Sequence, residues 1–215
     1  MNKDGEFEVF ISHSHIDREL AAWIKSELAN YGLRAFVAHD DIRPTQRWQD
    51  VILDTLVKSQ VFIALVSKDF AGSEWTDQET GVAIALAKLI IPIKLDEDPY
   101  GFIGKFQAMK WSEAHRGRSL SELLELLISN EILSNESIIK AFSDSYSFDE
   151  AGFRAALLLR LKNLTKKDID AVLIGAIQNR QVYQSGKARS NLGILFKLHE
   201  EKVNPELKLR LDQLW

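Results

Sequence analysis

The sequence predicts a three-layer α/β domain, built on a five-stranded parallel sheet and followed by an all-helical region. Short apolar segments alternate with amphipathic helical patterns through the first 130 residues, as is typical of parallel sheets with right-handed crossovers. Val61–Val66 is apolar without alternation, which indicates a strand covered on both faces at the centre of the sheet. After about residue 130 only helical periodicity remains.

The elements of the first half follow from periodicity and from capping residues. Apolar residues recur three and four apart over residues 17–31, predicting a helix with Asp17 as its N-cap and Gly32 as its stop. Pro92 indicates either that the fourth strand lies towards an edge of the sheet or that the proline stands at the start of the strand. The predicted strands are residues 8–11, 33–37, 61–66, 89–95 and 108–111, and the other helices are residues 48–58, 73–88 and 119–127.

Five further helices are predicted after residue 130. They cover residues 137–142, 149–161, 166–183, 189–199 and 205–214, with Asn135, Ser147, Thr165 and Asn204 as expected N-caps. We therefore divide the chain into an α/β domain, residues 6–128, and a small helical accessory or oligomerisation domain, residues 130–215.

Composition narrows the class of protein. Of the 215 residues 46% are hydrophobic and 27% are charged, which is typical of a globular chain long enough to bury a core. No apolar run reaches the roughly 18 residues of a membrane span, and residues 1–8 are unlike a signal peptide. The absence of cysteine excludes disulfides, thiolate metal sites and cysteine nucleophiles. We expect a cytoplasmic protein without a membrane partner.

Charge is unevenly distributed along the chain. Residues 1–150 carry 15 Lys and Arg against 25 Asp and Glu, whereas residues 151–215 carry 12 against 6. Three interpretations stay open: two solvated surfaces, docking of an acidic domain on a basic one, or a basic tail that binds nucleic acid. The tail lacks interleaved aromatic residues and a helix-turn-helix glycine pattern, so nucleic acid ranks last among the expected partners.

Ligands of a doubly wound sheet bind beyond the carboxyl ends of its strands. The loops expected there are residues 12–16, 38–47, 68–74 and 96–104. None contains a glycine-rich dinucleotide motif, a Walker A motif or a G-x-S-x-G elbow. His13 and His15 could face one metal ion, but no third ligand has a suitable spacing, so we predict no metal site.

Glu79 is the main candidate for chemistry. It lies four residues after Trp75, so the two share one face of the predicted helix near the mouth of the loop-lined cleft. A carboxylate there can orient ribose hydroxyls and stabilise positive charge on a sugar carbon. Nicotinamide leaving NAD neutralises its own positive charge and needs no acid partner, unlike the leaving groups of most glycosidases. The alternative is that Glu74, Asp77 and Glu79 only complement the helix dipole.

Four segments resemble the sequence boxes of Toll/interleukin-1 receptor (TIR) domains, particularly bacterial ones. They are residues 8–14, residues 36–44 followed by Trp48, the motif Ser73-x-Trp75-x-x-x-Glu79, and residues 91–93 with the loop at 99–107. The resemblance covers about residues 6–128. It implies the TIR fold, a flavodoxin-like sheet, and a catalytic role for Glu79 in cleaving NAD.

The resemblance also implies which residues surround the substrate. The expected substrate-binding residues are Phe10, Ser12, Ser14, Asp41, Trp48, Ser73 and Trp75. Trp75 either packs the helix or lines the pocket. Three positions depart from the family pattern: Ala38 replaces an acidic residue, Ser14 a basic residue and Thr45 a glycine.

The function implied is that of an NAD glycohydrolase in bacterial immune or antiphage signalling, with linear and cyclic ADP-ribose both open as products. NAD would be its substrate, and no cofactor is expected. The implied partners are other TIR surfaces, through self-association that activates the enzyme, and a downstream effector. The alternative is a non-catalytic TIR adaptor that acts by assembly alone.

Overall fold

The computed structural model describes residues 7–37 and 48–215. The chain divides into two compact units, Met1–Leu123 and Leu124–Trp215. None of the helices in the described residues combines the length and the apolar character that crossing a membrane requires.

The first unit is built on one five-stranded parallel sheet, as predicted. Its strands are β1 (Val9–Ser12), β2 (Ala35–Val37), β3 (Val61–Val66), β4 (Leu89–Lys94) and β5 (Met109–Lys110). Their order is β2-β1-β3-β4-β5, and every neighbouring pair is parallel. The uninterrupted apolar strand β3 is therefore central and fully buried, as its sequence indicated.

The helices of this unit differ from the predicted ones mainly at their ends. They are α1 (Arg18–Ala29), α2 (Trp48–Lys58), α3 (Lys68–Ala71) and α4 (Glu74–Ala85), and α5 (Arg116–Ser129) contains the boundary between the two units. The structure ends α4 three residues before the predicted Lys88, because Ala87 adopts φ 51° and its N–H bonds back to Ile84 O. The unpredicted helix α3 is a single turn that Ser67 caps by accepting from Phe70 N.

Alternate residues of the central strands face α2 and α4. Phe10 of β1 stacks on Phe62 of β3 with ring centroids 5.8 Å apart, and both belong to a buried cluster with Leu56 of α2 and Ala83 of α4. Because side chains two apart on a strand share a face, Ser12 points to the same side as Phe10. The sheet thus directs the last residue of β1 towards α4.

Neither expectation for Pro92 is met, because β4 is not an edge strand and Pro92 is its fourth residue and not its first. β4 runs between β3 and β5, and Pro92 pairs with Ala64 of β3. β5 is only two residues long and pairs with Ile93 and Lys94, which follow the proline. The missing N–H of Pro92 therefore removes no ladder hydrogen bond on the β5 side.

The second unit is helical. Its helices are α6 (Asn135–Ser143), α7 (Phe148–Leu158), α8 (Lys166–Gln178), α9 (Arg180–Tyr183), α10 (Gly186–Leu198) and α11 (Pro205–Asp212). Asn179 interrupts the predicted helix over residues 166–183: it leaves helical geometry, and its side chain donates to the carbonyls of Ser143 and Ser145, both at 2.8 Å. These two bonds hold the α8–α9 corner against the end of α6.

Three of the four predicted N-caps in this unit are confirmed. Ser147, Thr165 and Asn204 each accept a hydrogen bond from the first turn of their helix. The fourth is wrong by one residue, because Ser134 and not Asn135 accepts from Ser137 N. Asn135 instead donates its side-chain N–H to Lys162 O.

Candidate active site

Hydrogen bonds that involve Ser73 and Thr76 fix the start of α4. Ser73 caps the helix by accepting from Thr76 N at 3.4 Å. The hydroxyl of Thr76 lies 2.7 Å from Phe70 O and 2.8 Å from Ser73 O, which ties the helix start to α3. The resemblance gave Ser73 a substrate-binding role; its place in the structure is that of a cap, and contact with substrate stays a prediction.

Glu79 projects from this helix towards the end of β1. The sequence suggested a position at the mouth of a cleft. In the structure Glu79 is only 3% exposed, so it lies inside the protein. The Ser12 hydroxyl, itself fully buried, donates to Glu79 Oε2 at 2.5 Å. The catalytic candidate and a predicted substrate-binding residue are thus partners of each other.

Burial governs the acidity of this carboxyl group. Removal from water raises the pKa of Glu79 from its ordinary 4.5 to about 7. The hydrogen bond from Ser12 and the nearby indole of Trp75 oppose the rise because they favour the charged form. Near neutral pH the group can therefore exchange between its neutral and ionised forms, a property that is enriched at functional sites.

Trp75 and Phe10 belong to the packing around this carboxyl group. Trp75 is partly buried against the cluster that contains Phe10, Phe36 and Phe62. Phe10 is fully buried, with its ring 5.3 Å from that of Phe36. Their location supports the packing role for Trp75, whereas direct contact of either residue with substrate stays a prediction.

Ser14 belongs to a different polar cluster at the same edge of the sheet. Its hydroxyl donates to Asp17 Oδ2 at 2.5 Å, and Ser67 Oγ donates to the same oxygen at 2.6 Å. Asp17 therefore joins the ends of β1 and β3, and makes no capping bond to α1 as had been expected. Sequence reasoning missed this role because Ser67 is 50 residues from Asp17, although Ser14 is only 3 residues away.

Two predicted substrate-binding residues cannot be placed. Asp41, with the whole segment 38–47, lies outside the described residues. Trp48 begins α2, but its side chain is likewise outside them. The departures at Ala38 and Thr45 fall in the same segment.

The loop after β4 reaches back to the helix that carries Glu79. Tyr100 OH donates to Asp77 Oδ1 at 2.7 Å. A cavity of about 280 Å³ lies between this loop and α4, lined by Asp77, Thr80, Tyr100, Gly101, Phe102 and Ile103. Of the four loops predicted to cluster, residues 68–74 and 96–104 meet, since Lys68 N donates to Asp96 Oδ1 at 3.0 Å, whereas residues 38–47 lie outside the described residues.

A second cavity, of about 450 Å³, opens at the same edge of the sheet. Its wall includes Asp17, Ser67, Asp96, Trp111 and Arg116. His13, which precedes Ser14 in the chain, is buried, with Nδ1 2.6 Å from Ser14 O. Within residues 7–37 and 48–215 no group of three or more potential ligands could hold a metal ion.

Fold and sequence together define the class. Residues 9–128 match the model of the TIR domain family, which is more than half of the chain. The protein therefore belongs to the TIR domain family.

Among curated proteins, the chain is similar to one from a grass. A Brachypodium distachyon protein named probable 2′ cyclic ADP-D-ribose synthase BdTIR is 31% identical over 119 residues, which is 54% of this chain and 53% of that protein. The chain thus spans about half the length of this relative.

Two solved structures are also similar. The TIR domain of the Toll-related receptor TRR-2 from Hydra magnipapillata is 26% identical with a TM-score of 0.48, covering 56% of this chain and 98% of that domain. The TIR domains of the activated Roq1 resistosome, which directly recognises the pathogen effector XopQ, are 14% identical with a TM-score of 0.40, covering 90% of this chain and 99% of that one.

Proposed function

We propose that this protein cleaves the bond between nicotinamide and ribose in NAD, with Glu79 as the catalytic carboxylate. The observation that carries the proposal is a buried glutamate of raised pKa, hydrogen-bonded to Ser12 at the carboxyl end of β1. The family and the name of the plant relative support an enzyme acting on this substrate class.

The main contribution that this reaction needs from the protein is electrostatic stabilisation of the transition state. As the C1′–N bond breaks, its electron pair moves to the nicotinamide nitrogen and neutralises the positive charge of the ring. Positive charge then develops on the ribose carbon, and stabilising this charge is the role that we propose for the Glu79 carboxylate. Attack by water yields ADP-ribose and a proton, whereas attack by a hydroxyl of the same molecule yields a cyclic product.

This role requires the ionised form of Glu79. Without substrate, burial holds the pKa of Glu79 at about 7, so this carboxyl group is neutral in a large fraction of the molecules at neutral pH. A bound nicotinamide ring carries a positive charge, which lowers the pKa of a nearby carboxyl group. Substrate binding therefore favours the form of Glu79 that the reaction needs.

The direct test is NAD turnover by the purified full chain, followed as nicotinamide and ADP-ribose released. We expect Glu79→Gln to abolish turnover, because glutamine keeps the size and loses the charge. The matched control is Glu74→Gln, which removes an exposed carboxylate from the first turn of the same helix. Turnover that survives Glu79→Gln, or that falls equally in both variants, would refute the assigned role.

Self-association is part of the proposal. The resemblance to TIR domains implies sites completed by a neighbouring copy, so specific activity should rise with protein concentration. Activity that stays constant over a wide dilution series would count against this step. A chain that assembles and never releases nicotinamide would instead be the adaptor.

The biological role follows from the resemblance alone. We propose that NAD cleavage serves immune signalling in the cell that makes the protein, with a downstream effector that responds to the product. Expressing the wild type and Glu79→Gln in a bacterial host and comparing phage resistance and cellular NAD tests this role. Equal resistance in the two strains would contradict it.

A further inference from the structure

Asp17 joins two segments that follow strands of the sheet. Its Oδ2 atom accepts hydrogen bonds from the Ser14 hydroxyl at 2.5 Å and from the Ser67 hydroxyl at 2.6 Å. Ser14 lies two residues beyond the end of β1, and Ser67 is the residue that follows β3. Both serines are buried, and this one carboxylate oxygen is the acceptor that orients both hydroxyl groups.

The pairing of the strands does not by itself require Asp17. The parallel ladder already joins β1 to β3, and it extends to the pair of Ser12 and Ala64. The carboxylate adds a fixed orientation for the side chain of Ser67. This hydroxyl also accepts from Phe70 N at 3.2 Å and so caps α3, which is a single turn and too short to be stable alone.

From α3 the connection continues to the helix that carries Glu79. The Thr76 hydroxyl lies 2.7 Å from Phe70 O, and Thr76 is on the first turn of α4. Glu79 lies about one turn further along the same helix. Its Oε2 atom accepts from the Ser12 hydroxyl at 2.5 Å, which brings the connection back to β1.

These contacts close a ring, because Ser12 is two residues from the Ser14 hydroxyl that donates to Asp17. The members of this Asp17 ring are, in order, Asp17, Ser67, Phe70, Thr76, Glu79, Ser12 and Ser14. Asp17 is half-buried, and every other member is 5% exposed or less. Because hydrogen bonds in a buried network support one another, opening the ring at Asp17 is felt at Glu79.

We propose that Asp17 is a positioning residue for Glu79, which it holds against Ser12 through the start of α3 and the start of α4. The proposal rests on the function proposed for Glu79 and adds a residue that acts through hydrogen bonds and not through contact with substrate. Its effect is on accuracy of position, since a misplacement of about 1 Å at a catalytic group costs about 100-fold in rate.

The first experiment tests the ring without NAD. A double-mutant cycle combines Asp17→Ala with Glu79→Gln and measures the free energy of unfolding in urea at pH 8. Glu79→Gln should stabilise the Asp17→Ala chain less than it stabilises the wild type, because an opened ring admits water to the carboxyl group. The matched control is Asp54→Ala, which removes an exposed carboxylate of α2 and should leave the effect of Glu79→Gln unchanged.

A second cycle separates the hydrogen bonds from the charge of Asp17. Asp17→Asn removes the charge, and its amide oxygen can still accept from both serine hydroxyl groups. Glu79→Gln should therefore have nearly the same effect in the Asp17→Asn chain as in the wild type. Equal coupling in the Asp17→Ala and Asp17→Asn cycles would assign the effect to charge repulsion and overturn the ring.

The third experiment measures kcat and KM for NAD with the full chain. Asp17→Ala should lower kcat about tenfold or more and change KM less than about twofold, because the ring positions the catalytic group and does not bind substrate. Asp17→Asn should recover most of the lost kcat. Thr76→Val opens the ring between α3 and α4 and should lower kcat in the same way, which keeps the test decisive where Asp17→Ala fails to fold.

Failure of this proposal is distinguishable from failure of the proposed function. A wild type that releases no nicotinamide refutes the proposed function, whereas additive effects in the Asp17→Ala cycle refute the ring whatever the turnover. A kcat that Asp17→Ala and Thr76→Val leave unchanged would also overturn the positioning role. Far-ultraviolet circular dichroism shows that each variant is folded.

Discussion

Replacing Glu79 by glutamine should stabilise the protein at alkaline pH while removing its proposed activity. In the unfolded chain this carboxyl group ionises near its ordinary pKa of 4.5, whereas burial holds it neutral up to about 7 in the folded protein. Between these values the folded state binds a proton that the unfolded state has lost, so stability falls as pH rises. The pKa difference corresponds to about 3 kcal/mol above pH 7, because one pKa unit is about 1.36 kcal/mol.

Urea unfolding of the wild type and Glu79→Gln at a series of pH values measures this effect. The two proteins should differ by a constant amount below about pH 4.5 and by a further ~3 kcal/mol in favour of glutamine above about pH 7. Glu74→Gln should show no such pH dependence, because Glu74 is exposed. A difference between wild type and Glu79→Gln that stays flat from pH 4 to 8 would refute the raised pKa.

Three further outcomes follow from the same structure. The kcat/KM for NAD should rise with pH and level off above about 7, because the proposed reaction uses the ionised form of Glu79. A kcat/KM that falls through this pH range would instead indicate that Glu79 acts as an acid. Ser12→Ala should move the rising limb to higher pH, because it removes a hydrogen bond that lowers the pKa of Glu79; an unshifted limb would separate Ser12 from the carboxyl group. Gly175→Ala should cost about 1–3 kcal/mol in urea unfolding, because the added Cβ would lie 2.0 Å from Ser143 Oγ and 2.8 Å from Ser143 Cβ, and Ser143→Gly in the same chain should restore most of the loss.

The parallel sheet was predictable because its signals are local. Val61–Val66 is apolar at every position, and this pattern alone places it at the centre of a sheet covered on both faces. Helix ends were harder where tertiary bonds compete with local ones. Asn179 interrupts a predicted helix because its amide donates to the carbonyls of Ser143 and Ser145 at the end of α6. The sequence around position 179 gives no sign of these distant partners.

The sequence predicted that Trp75 and Glu79 share a helix face, but it did not predict their contacts. Spacing placed Trp75 and Glu79 on one face of a helix, and the structure places both side chains on the sheet side of α4. The direction of that face depends on packing, since Ala83, one turn further along, belongs to the core beneath it. Ser12 is 67 residues from Glu79, so their hydrogen bond had no signal in either segment.

The position of Glu79 on its helix is itself an argument for function. Trp75, Glu79 and Ala83 are spaced by four residues, and the first and third pack against apolar neighbours. A structural helix would place an apolar residue between them, because an ionised carboxylate there costs about 3 kcal/mol at neutral pH and above. This cost already includes the favourable effects of Ser12 and Trp75 on the ionised form. The protein is therefore less stable at neutral pH and above for having Glu79, and departures of this kind are expected at functional sites, which supports the role proposed for this residue.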